Sequence, residues 1–301
     1  MKVILIRKFI ILIMHWAVIN VVGLAAQDDL LSLLGDEEET TQYAEASFKA
    51  NRIINLHSIE NTKFGVIDVK ISHRFGRLNG GFYEFFGLDQ ANMRFGFDYG
   101  LMDRLQIGVG RSNFEKTYDG YIKYKLLRQS KGKKNMPISL SVLSGMAIKT
   151  TKWADTSRTN YFSSRLYYNF QVLIARKFSE NFTFQLTPGL LHRNLVATVA
   201  EENDVYSIGL GLRQKLTKRL SLNAEYIYVL PNQLAPESKN SLSVGIDIET
   251  GGHVFQLHFT NSVSMIEKGV IAETYGEWGK GDIHFGFNLS RVFTLARKKE
   301  I

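Results

Sequence analysis

The sequence predicts an all-β fold: a transmembrane, antiparallel, up-and-down β-barrel of about twelve strands behind a cleaved N-terminal signal peptide. Three observations predict it, namely hydrophobicity that alternates with a period of two, connections that alternate in length, and an unusual composition. The 301 residues include 20 Phe, 13 Tyr and 25 Gly but only 4 Pro and no Cys. Without cysteine, disulfide bonds and thiolate metal sites are excluded.

Residues 1–26 are typical of a secretory signal peptide. Lys2, Arg7 and Lys8 precede the apolar run 9–22, and the small-residue stretch 23–26 follows it. An uncleaved membrane anchor is the alternative, but the apolar run is short for a span. Cleavage removes those three cations, so the formal net charge falls from +8 to +5. That excess is too small and too scattered to indicate nucleic-acid binding.

Residues 27–46 differ from the rest of the mature chain. A short leucine-rich stretch is followed by the acidic run of Asp36, Glu37, Glu38 and Glu39. We interpret this region as a solvated, acidic periplasmic leader. The alternative is a segment that docks into or beneath the following domain. The barrel domain is then expected over residues 47–296, with a basic C-terminal tail over 297–301.

From about residue 64, apolar and polar residues alternate almost to the end of the chain. Clear runs cover residues 91–100, 104–110, 219–230, 241–249 and 283–290, and weaker runs cover 64–75, 118–127, 137–149, 162–176, 181–191, 204–216 and 253–261. Each is close to the ~9–11 residues that a tilted strand needs to cross a bilayer. The pattern therefore predicts membrane-spanning strands.

The connections between these runs alternate in length. Short turns fall at residues 101–103, 178–180, 217–218 and 250–252, with an intermediate connection at 129–136, and long polar loops fall at 76–90, 150–161, 192–203, 231–240 and 262–281. Threading the strands in order places the short turns at one end and the long loops at the other. Outer-membrane barrels sort their connections in this way, whereas a soluble β-sandwich has no reason to do so.

The apolar row is assigned to the lipid and the polar row to the lumen. A secreted soluble β protein, the alternative, also alternates, but its core would have to hold the Phe, Tyr and Leu of nearly every run. Aromatic residues also gather at strand ends, as in the interfacial girdles of membrane barrels. These residues are Phe75, Tyr99, Phe114, Tyr118, Phe162, Phe182, Tyr228 and Phe293.

The predicted lumen carries charge of both signs. The candidate lumen-lining residues are Arg94, Asp98, Lys123, Lys125, Glu225, Asp247, His258 and His284. A Lys or Arg facing lipid at mid-bilayer would cost about 2–4 kcal/mol, so these side chains are placed inside. Two interpretations stay open: the charges pair with one another and fill the barrel, or they line a selective path.

No catalytic, cofactor-binding or metal site is predicted. The histidines lack metal-ligand spacing, and there is no Gly-x-Ser-x-Gly elbow. His57 and Ser58 are adjacent, so on a strand they would face opposite ways and could not act as base and nucleophile. Acidic residues and a histidine in the predicted loops give only a weak protease signal, because loops are also acidic for solubility; they are His192, Asp155, Glu201, Glu202 and Asp204.

Several stretches resemble the DUF5777 family of predicted outer-membrane β-barrel proteins. They include His-Ser-Ile-Glu-Asn at 57–61, Ile-Ser-His-Arg-Phe-Gly at 71–76, Tyr-Val-Leu-Pro-Asn-Gln at 228–233 and Trp-Gly-Lys-Gly-Asp at 278–282. The resemblance extends from about residue 47 to 295. It implies a barrel and an outer-membrane location, but it carries no established activity and no functional residues. Unlike barrels that end on an aromatic residue, this chain continues past Phe293.

These observations predict a non-enzymatic protein in the outer membrane of a Gram-negative-type bacterium, with both ends of the chain in the periplasm. The first functional hypothesis is a narrow, passive or weakly selective pore, or a binding and transport scaffold for small solutes. The second is a loop-mediated interaction protein or structural envelope protein, and the disfavoured third is a membrane-embedded hydrolase. Expected partners are outer-membrane lipid, small solutes or ions and, during biogenesis, the barrel-assembly and periplasmic chaperone machinery; nucleic acid is not expected.

Overall fold

A computed structural model of the chain describes residues 40–297. Twelve antiparallel strands form a closed barrel in which each strand pairs with its neighbours along the chain and the last pairs with the first. The strands are β1 (Val66–Arg77), β2 (Ala91–Met102), β3 (Leu105–Ser112), β4 (Tyr118–Leu127), β5 (Ser139–Ile148), β6 (Leu166–Lys177), β7 (Phe182–Arg193), β8 (Asp204–Lys215), β9 (Leu220–Val229), β10 (Ser241–Thr250), β11 (His253–Thr260) and β12 (His284–Thr294). The predicted fold and strand number are confirmed.

The predicted signal peptide, most of the predicted acidic leader and the last four residues lie outside the described residues. Before the barrel, Gln42–Tyr43 forms a short ribbon with Ser130–Lys131 of the connection between β4 and β5. Within residues 40–297, no helix combines the length and the apolar character that crossing a membrane requires.

The connections are sorted as predicted. Short connections at 103–104, 178–181, 216–219 and 251–252, with the longer one at 128–138, share one end, which we call the short-turn end. The connections 78–90, 113–117, 149–165, 194–203, 230–240 and 261–283 share the other, which we call the long-loop end. They contain α1 (Glu267–Ala272) and the 3₁₀ turns Leu78–Gly80, Phe82–Gly87, Phe114–Lys116, Phe162–Arg165 and Trp278–Lys280.

One strand begins later than the sequence predicts. Residues 162–165 are a 3₁₀ turn, and β6 starts at Leu166. The reason is local, because the Arg165 guanidinium donates to the carbonyls of Lys149 and Thr151 at 2.8 and 2.6 Å and so ties this turn to the start of the same connection.

The two faces of the wall differ as the alternation predicts. On β2, Phe95 and Phe97 are 48% and 45% exposed on the outer surface, whereas Arg94 and Asp98 are 2% and 3% exposed. Successive side chains of a strand point to opposite faces, so one strand places aromatic rings outside and charges inside. An outer wall of this kind is suited to lipid.

Two chain segments fill the lumen. Residues 46–62, which we call the plug, enter and leave through the short-turn end, where Asn61 and Thr62 bond to Arg104 and Gln106. Residues 261–276, which we call the inner loop and which include α1, fold inward from the long-loop end. Ile53, Leu56 and Ile59 of the plug are each 1% exposed.

Glycines on β8 make room for the plug. A Cβ at Gly211 would lie 2.2 Å from Ile53 Cδ1, and one at Gly209 would lie 2.8 Å from Leu56 Cδ1. Both values are far below an ordinary carbon–carbon contact of about 3.5–4.0 Å. These strand glycines therefore set how closely the plug approaches this part of the wall.

The inner wall has two unlike sides, of four and eight strands. Strands β5–β8, which we call the apolar side, present Leu143, Leu173, Leu191 and Val205 to the plug and inner loop, and α1 lies against β6–β9. The apolar side also carries two buried arginines, Arg193 and Arg213. The other eight strands, β9–β12 and β1–β4, form the charged side. Its buried inward ionisable side chains are Glu225, Asp247, His258, His284, Asp68, Lys70, Arg74, Arg94, Asp98, Tyr121 and Lys123.

Candidate functional site

Glu225 on β9 anchors the tip of the plug. Its carboxylate accepts the backbone N–H groups of Ile54, Asn55 and Leu56 at 2.9–3.1 Å. These N–H groups converge because residues 53–56 make a tight turn, closed by the Ile53 N–H donating to the Leu56 carbonyl at 2.8 Å. Successive N–H groups in a turn form a concave site for an anion, which the glutamate occupies here.

Asn55 extends this anchor to other strands. Its side-chain amide donates to Glu225 at 2.7 Å and to Ser243 Oγ on β10 at 3.0 Å. Its Oδ1 accepts from Arg74 on β1 at 2.7 Å, and Arg74 also donates to Asn288 on β12. The plug tip is therefore bonded, directly or through Arg74, to the four strands β9, β10, β1 and β12.

Other wall side chains satisfy the plug backbone. Lys123 donates to the carbonyls of Ser58 and Glu60. Gln185 donates to the His57 carbonyl at 2.7 Å, and Gln256 donates to the Ile53 carbonyl at 2.8 Å. Inside the lumen the plug is thus held by hydrogen bonds from wall side chains, while the twelve-strand ladder closes on its own.

Other predicted lumen charges pair within the wall rather than with the plug. Arg94 Nε donates to Asp119 at 2.8 Å, and Lys70 forms an ion pair with Asp98. A second carboxylate, that of Asp68, lies 3.4 Å from the Lys70 ammonium group. These pairs satisfy buried charges that would otherwise be costly in the barrel interior.

The remaining candidates are placed as follows. Asp247 accepts from Gln256 at 3.0 Å, and His284 Nδ1 lies 2.8 Å from the Phe75 carbonyl. His258 is buried against Gly286. Lys125 is half-buried near the short-turn end of β4. Of the eight candidates, the structure brings Glu225 and Lys123 onto the plug.

The plug and the inner loop meet inside the barrel. Arg52 Nη1 donates to the Glu267 carboxylate at 2.9 Å, and His57 Nε2 lies 3.3 Å from the same oxygen. Arg52 and His57 of the plug are also 3.1 Å apart. This contact joins the segment that enters from one end to the segment that enters from the other.

The inner loop is tied to the wall by a cluster of Lys268, Glu115, Glu273 and Lys149, which we call the Lys268 cluster. Lys268 pairs with both carboxylates, and Lys149 pairs with Glu115. Burial raises the pKa of Glu273. Burial acts in the same sense on Glu115, but Lys268 and Lys149 outweigh it and hold the pKa of Glu115 below its usual range.

A vestibule of about 460 Å³ opens at the long-loop end. Its lining includes Glu115, Lys149 and Glu273, so the Lys268 cluster contributes to its surface. It also includes Arg77, Phe114, Tyr167, Arg193, Leu195, Val196, Ala197, Glu201, Asn261, Val263, Tyr275, Gly276 and His284. A solute arriving from this end would meet both signs of charge before reaching the inner loop.

The family model of a membrane-bound β-barrel domain, DUF5777, matches residues 48–293. The chain belongs to this family. The match includes the plug, so the plug is part of the family domain rather than an addition to it. The resemblance noted in the sequence is confirmed.

Solved outer-membrane proteins share the barrel architecture at low identity. The NanC porin is 6% identical, with 77% of this chain and 100% of that chain covered and a TM-score of 0.48. Omp33 of Acinetobacter baumannii is 7% identical (78% and 100% covered, TM-score 0.42). An outer membrane channel from Pseudomonas putida F1 is 14% identical (78% and 97% covered, TM-score 0.45). No curated protein matches the chain significantly.

Four of the five residues weighed for proteolysis lie at the connection between β7 and β8, where they form separate pairs or bond to Arg193. His192 and Asp204 pair at 2.6 Å, and Arg193 pairs with Glu201 at 2.8 Å. Asp155 lies in a different loop and accepts from Ser157. Among residues 40–297, no group of three or more His, Asp or Glu side chains is arranged to hold a metal ion.

Sequence reasoning did not identify the plug and the inner loop as segments buried in the lumen. The docking alternative concerns only residues 27–46, most of which lie outside the described residues. Two signals could have identified the plug and the inner loop: residues 53–59 mix apolar and polar residues without a period of two, and the long loop contains the apolar stretch 263–272. An apolar stretch within an otherwise polar loop indicates burial.

Proposed function

We propose that this protein is a gated channel for small polar solutes or ions in the outer membrane, without enzymatic activity, and that the plug is the gate. The observation that carries the proposal is the binding of three plug N–H groups by Glu225. An outer-membrane location is supported by the family's membrane barrel domain and by the sorting of the connections. The short-turn end then faces the periplasm.

The contacts of the plug favour a gate over a permanent filling. The barrel ladder is complete without the plug, so plug movement leaves the hydrogen bonds of the wall intact. The hydrogen-bonding groups that hold the plug are polar or charged and would be hydrated if the plug left. The main cost of opening is therefore the exposure of apolar plug side chains such as Ile53 and Leu56. A typical hydrogen bond adds only about 0.5–1.5 kcal/mol net, because water replaces the lost partner.

The open path would carry charge of both signs. Once the plug is displaced, Glu225, Lys123 and Arg74 line the vacated space together with Gln185 and Gln256. Such a lining selects weakly between cations and anions. This is the weakly selective pore of the first hypothesis, with a gate added.

The test is the conductance of the purified, folded protein in a planar bilayer. Glu225→Ala leaves three buried N–H groups without an acceptor, and each unsatisfied buried group costs about 1–3 kcal/mol. We expect the open probability to rise at least about tenfold, since about 1.4 kcal/mol corresponds to a factor of ten.

Glu225→Gln is the matched variant, because it keeps one acceptor oxygen and the same shape. It should fall between wild type and Glu225→Ala. If Glu225→Ala folds, as shown by a heat-modifiable gel shift, and conducts like wild type, Glu225 does not hold a gate.

A second candidate function rests on an exposed aromatic loop. Phe82 and Tyr83 are 82% and 95% exposed at the long-loop end, and the following Phe85 and Phe86 have positive φ angles of 46° and 54°. Strained, exposed aromatic residues are typical of a binding surface. If the protein acts through this loop, replacing Phe82 and Tyr83 by Ser abolishes crosslinking to an envelope partner in intact cells and leaves conductance unchanged.

A further inference from the structure

The short-turn end of the barrel carries an excess of exposed cations. We call Lys133, Lys134, Arg176, Lys218, Arg219 and Arg291 the basic rim; all six are exposed. Acidic residues of the same end within residues 40–297 are Glu45, Glu60, Asp103, Glu180 and Glu249. Glu180 is bound by Lys177 at 3.1 Å, and Glu249 is bound by Lys49 of the plug.

Two cations of the rim lie on the lipid-facing wall. Arg176 ends the outward row of β6, and Arg291 lies in the outward row of β12. The Arg176 guanidinium lies 5.1 Å from the centre of the Phe178 ring, and that of Arg291 lies 4.9 Å from the Phe293 ring. Within residues 40–297, neither arginine has an acidic side chain within 4.0 Å.

The position of these arginines identifies their environment. Aromatic rings at strand ends lie at headgroup depth, so a guanidinium stacked on such a ring is held at the same depth. A charge on the lipid face is tolerated near the interface but not at mid-bilayer. At this depth the abundant oxyanion is the phosphate of a phospholipid.

We propose that the basic rim binds the phosphate headgroups of anionic phospholipids in the periplasmic leaflet. Guanidinium groups bind phosphate through paired N–H donors, and the lysines of the turns add point charges. Strands β6 and β12 are six apart in a ring of twelve, so the two arginines lie on opposite sides of the barrel. The site is therefore an annulus of basic residues that binds lipid headgroups around the barrel.

The proposal rests on the membrane orientation given with the proposed function, in which the short-turn end faces the periplasm. It does not require the plug to act as a gate. Each basic residue near an anionic surface adds about 1 kcal/mol, which is about fivefold in affinity. The annulus would fix the depth of the barrel at its periplasmic end. Loss of channel activity in any variant would leave the lipid measurement interpretable, because the two readouts are separate.

The test is native mass spectrometry of the full mature chain with equal amounts of phosphatidylglycerol and phosphatidylcholine of the same acyl chains. Wild type should retain phosphatidylglycerol in preference, and Arg176→Gln with Arg291→Gln should reduce that preference at least about fivefold. The matched control is Arg111→Gln, an outward arginine 5.4 Å from the Tyr118 ring at the long-loop end. The proposal is wrong if the double variant keeps the wild-type preference, or if Arg111→Gln reduces it equally.

Two further arms separate the lipid from other anions. Millimolar inorganic phosphate should leave the bound phosphatidylglycerol in place, whereas full displacement would show a site for free anions. Replacing Asp36, Glu37, Glu38 and Glu39 by their amides should leave the preference unchanged. If anionic lipid binds only after that replacement, the occupant is the chain's own acidic segment and the proposal fails. A heat-modifiable gel shift confirms that each variant is folded.

Discussion

The two sides of the lumen hold the same plug mainly by different physical means. The apolar side, β5–β8, packs Leu173 and Leu191 around the apolar plug and inner-loop residues and uses Gly209 and Gly211 to admit Leu56 and Ile53. Its polar contacts with the plug come from Gln185 and Arg213. The charged side binds the plug tip through Glu225 and Arg74. Apolar packing cannot be replaced by water without loss, whereas the polar contacts can. We therefore expect the apolar side to contribute most to stability and the charged side to decide whether the plug is released.

The largest expected effect is the loss of stability when apolar packing against β5–β8 is removed. Leu173 is fully buried, and Leu173→Ala should lower the free energy of unfolding by about 2–5 kcal/mol because it leaves a cavity. Its effect on conductance should be small, since the polar anchors of the plug stay in place. Guanidinium unfolding and planar-bilayer recordings on the same preparation check both parts. If Leu173→Ala is as stable as wild type, or opens as often as Glu225→Ala, the apolar and charged sides do not have the separate roles proposed for them.

The next effect concerns pH and the Lys268 cluster. The depressed pKa of Glu115 means that its contribution to folded-state stability is present above its unfolded pKa, ordinarily about 4.3, and is lost as the pH falls through the folded value. Burial raises the pKa of Glu273, so its carboxylate protonates first on acidification, while Glu115 still holds Lys268.

The inner loop should therefore stay closed through mild acid and be released only below pH ~4, as recorded by conductance against pH. In Glu115→Gln, Lys268 keeps only Glu273 as a carboxylate partner. Release should then move to a higher pH, into the range of the raised Glu273 pKa. Release at the same pH in both proteins would show that the cluster does not hold the inner loop.

The smallest expected effect sharpens the fit between β8 and the plug. Gly211→Ala brings a methyl group against Ile53 Cδ1, the flexible end of a side chain, so the cost should be at most about 1 kcal/mol. Ile53→Val deletes that atom, and the double variant should recover wild-type stability in guanidinium unfolding. If Ile53→Val adds its own loss instead, the two residues are not in contact.

The difference between the two sides also explains what the sequence could predict. Strand number, sorting of the connections and the inward direction of Arg94, Asp98 and Glu225 follow from period-two alternation, because a strand in a closed wall has one lipid face and one lumenal face. The alternation is weak in the four runs that became β5–β8, and also in the runs that became β1, β4 and β11. On β5–β8 several inward residues, among them Leu173 and Leu191, are apolar because other parts of the chain pack against them.

The segments that fill the lumen, the plug and the inner loop, could not be predicted in the same way. The plug contacts the wall on several sides at once, so no face is left for a periodic pattern. Glu225 binds backbone N–H groups, which every residue possesses, and Arg94 selects Asp119 rather than the other carboxylates on the inner wall. Such partners depend on distances in the folded chain rather than on residue type.

The most direct test of the gate is a reversible lock. The chain has no cysteine, and Asn55 Nδ2 lies 3.0 Å from Ser243 Oγ, so Asn55→Cys with Ser243→Cys brings two thiols within reach of each other. The matched control is Asn51→Cys with Thr62→Cys, whose native side chains meet at 2.7 Å, because a disulfide between these positions lies within the plug and does not bond it to a strand. The reduced control measures the effect of losing the bond from Asn51 to Asp68 on β1. The proposed gate predicts that the oxidised 55–243 protein does not conduct, that reduction restores openings, and that the oxidised control conducts like its reduced form. Openings of the fully oxidised 55–243 protein at the reduced level would contradict it.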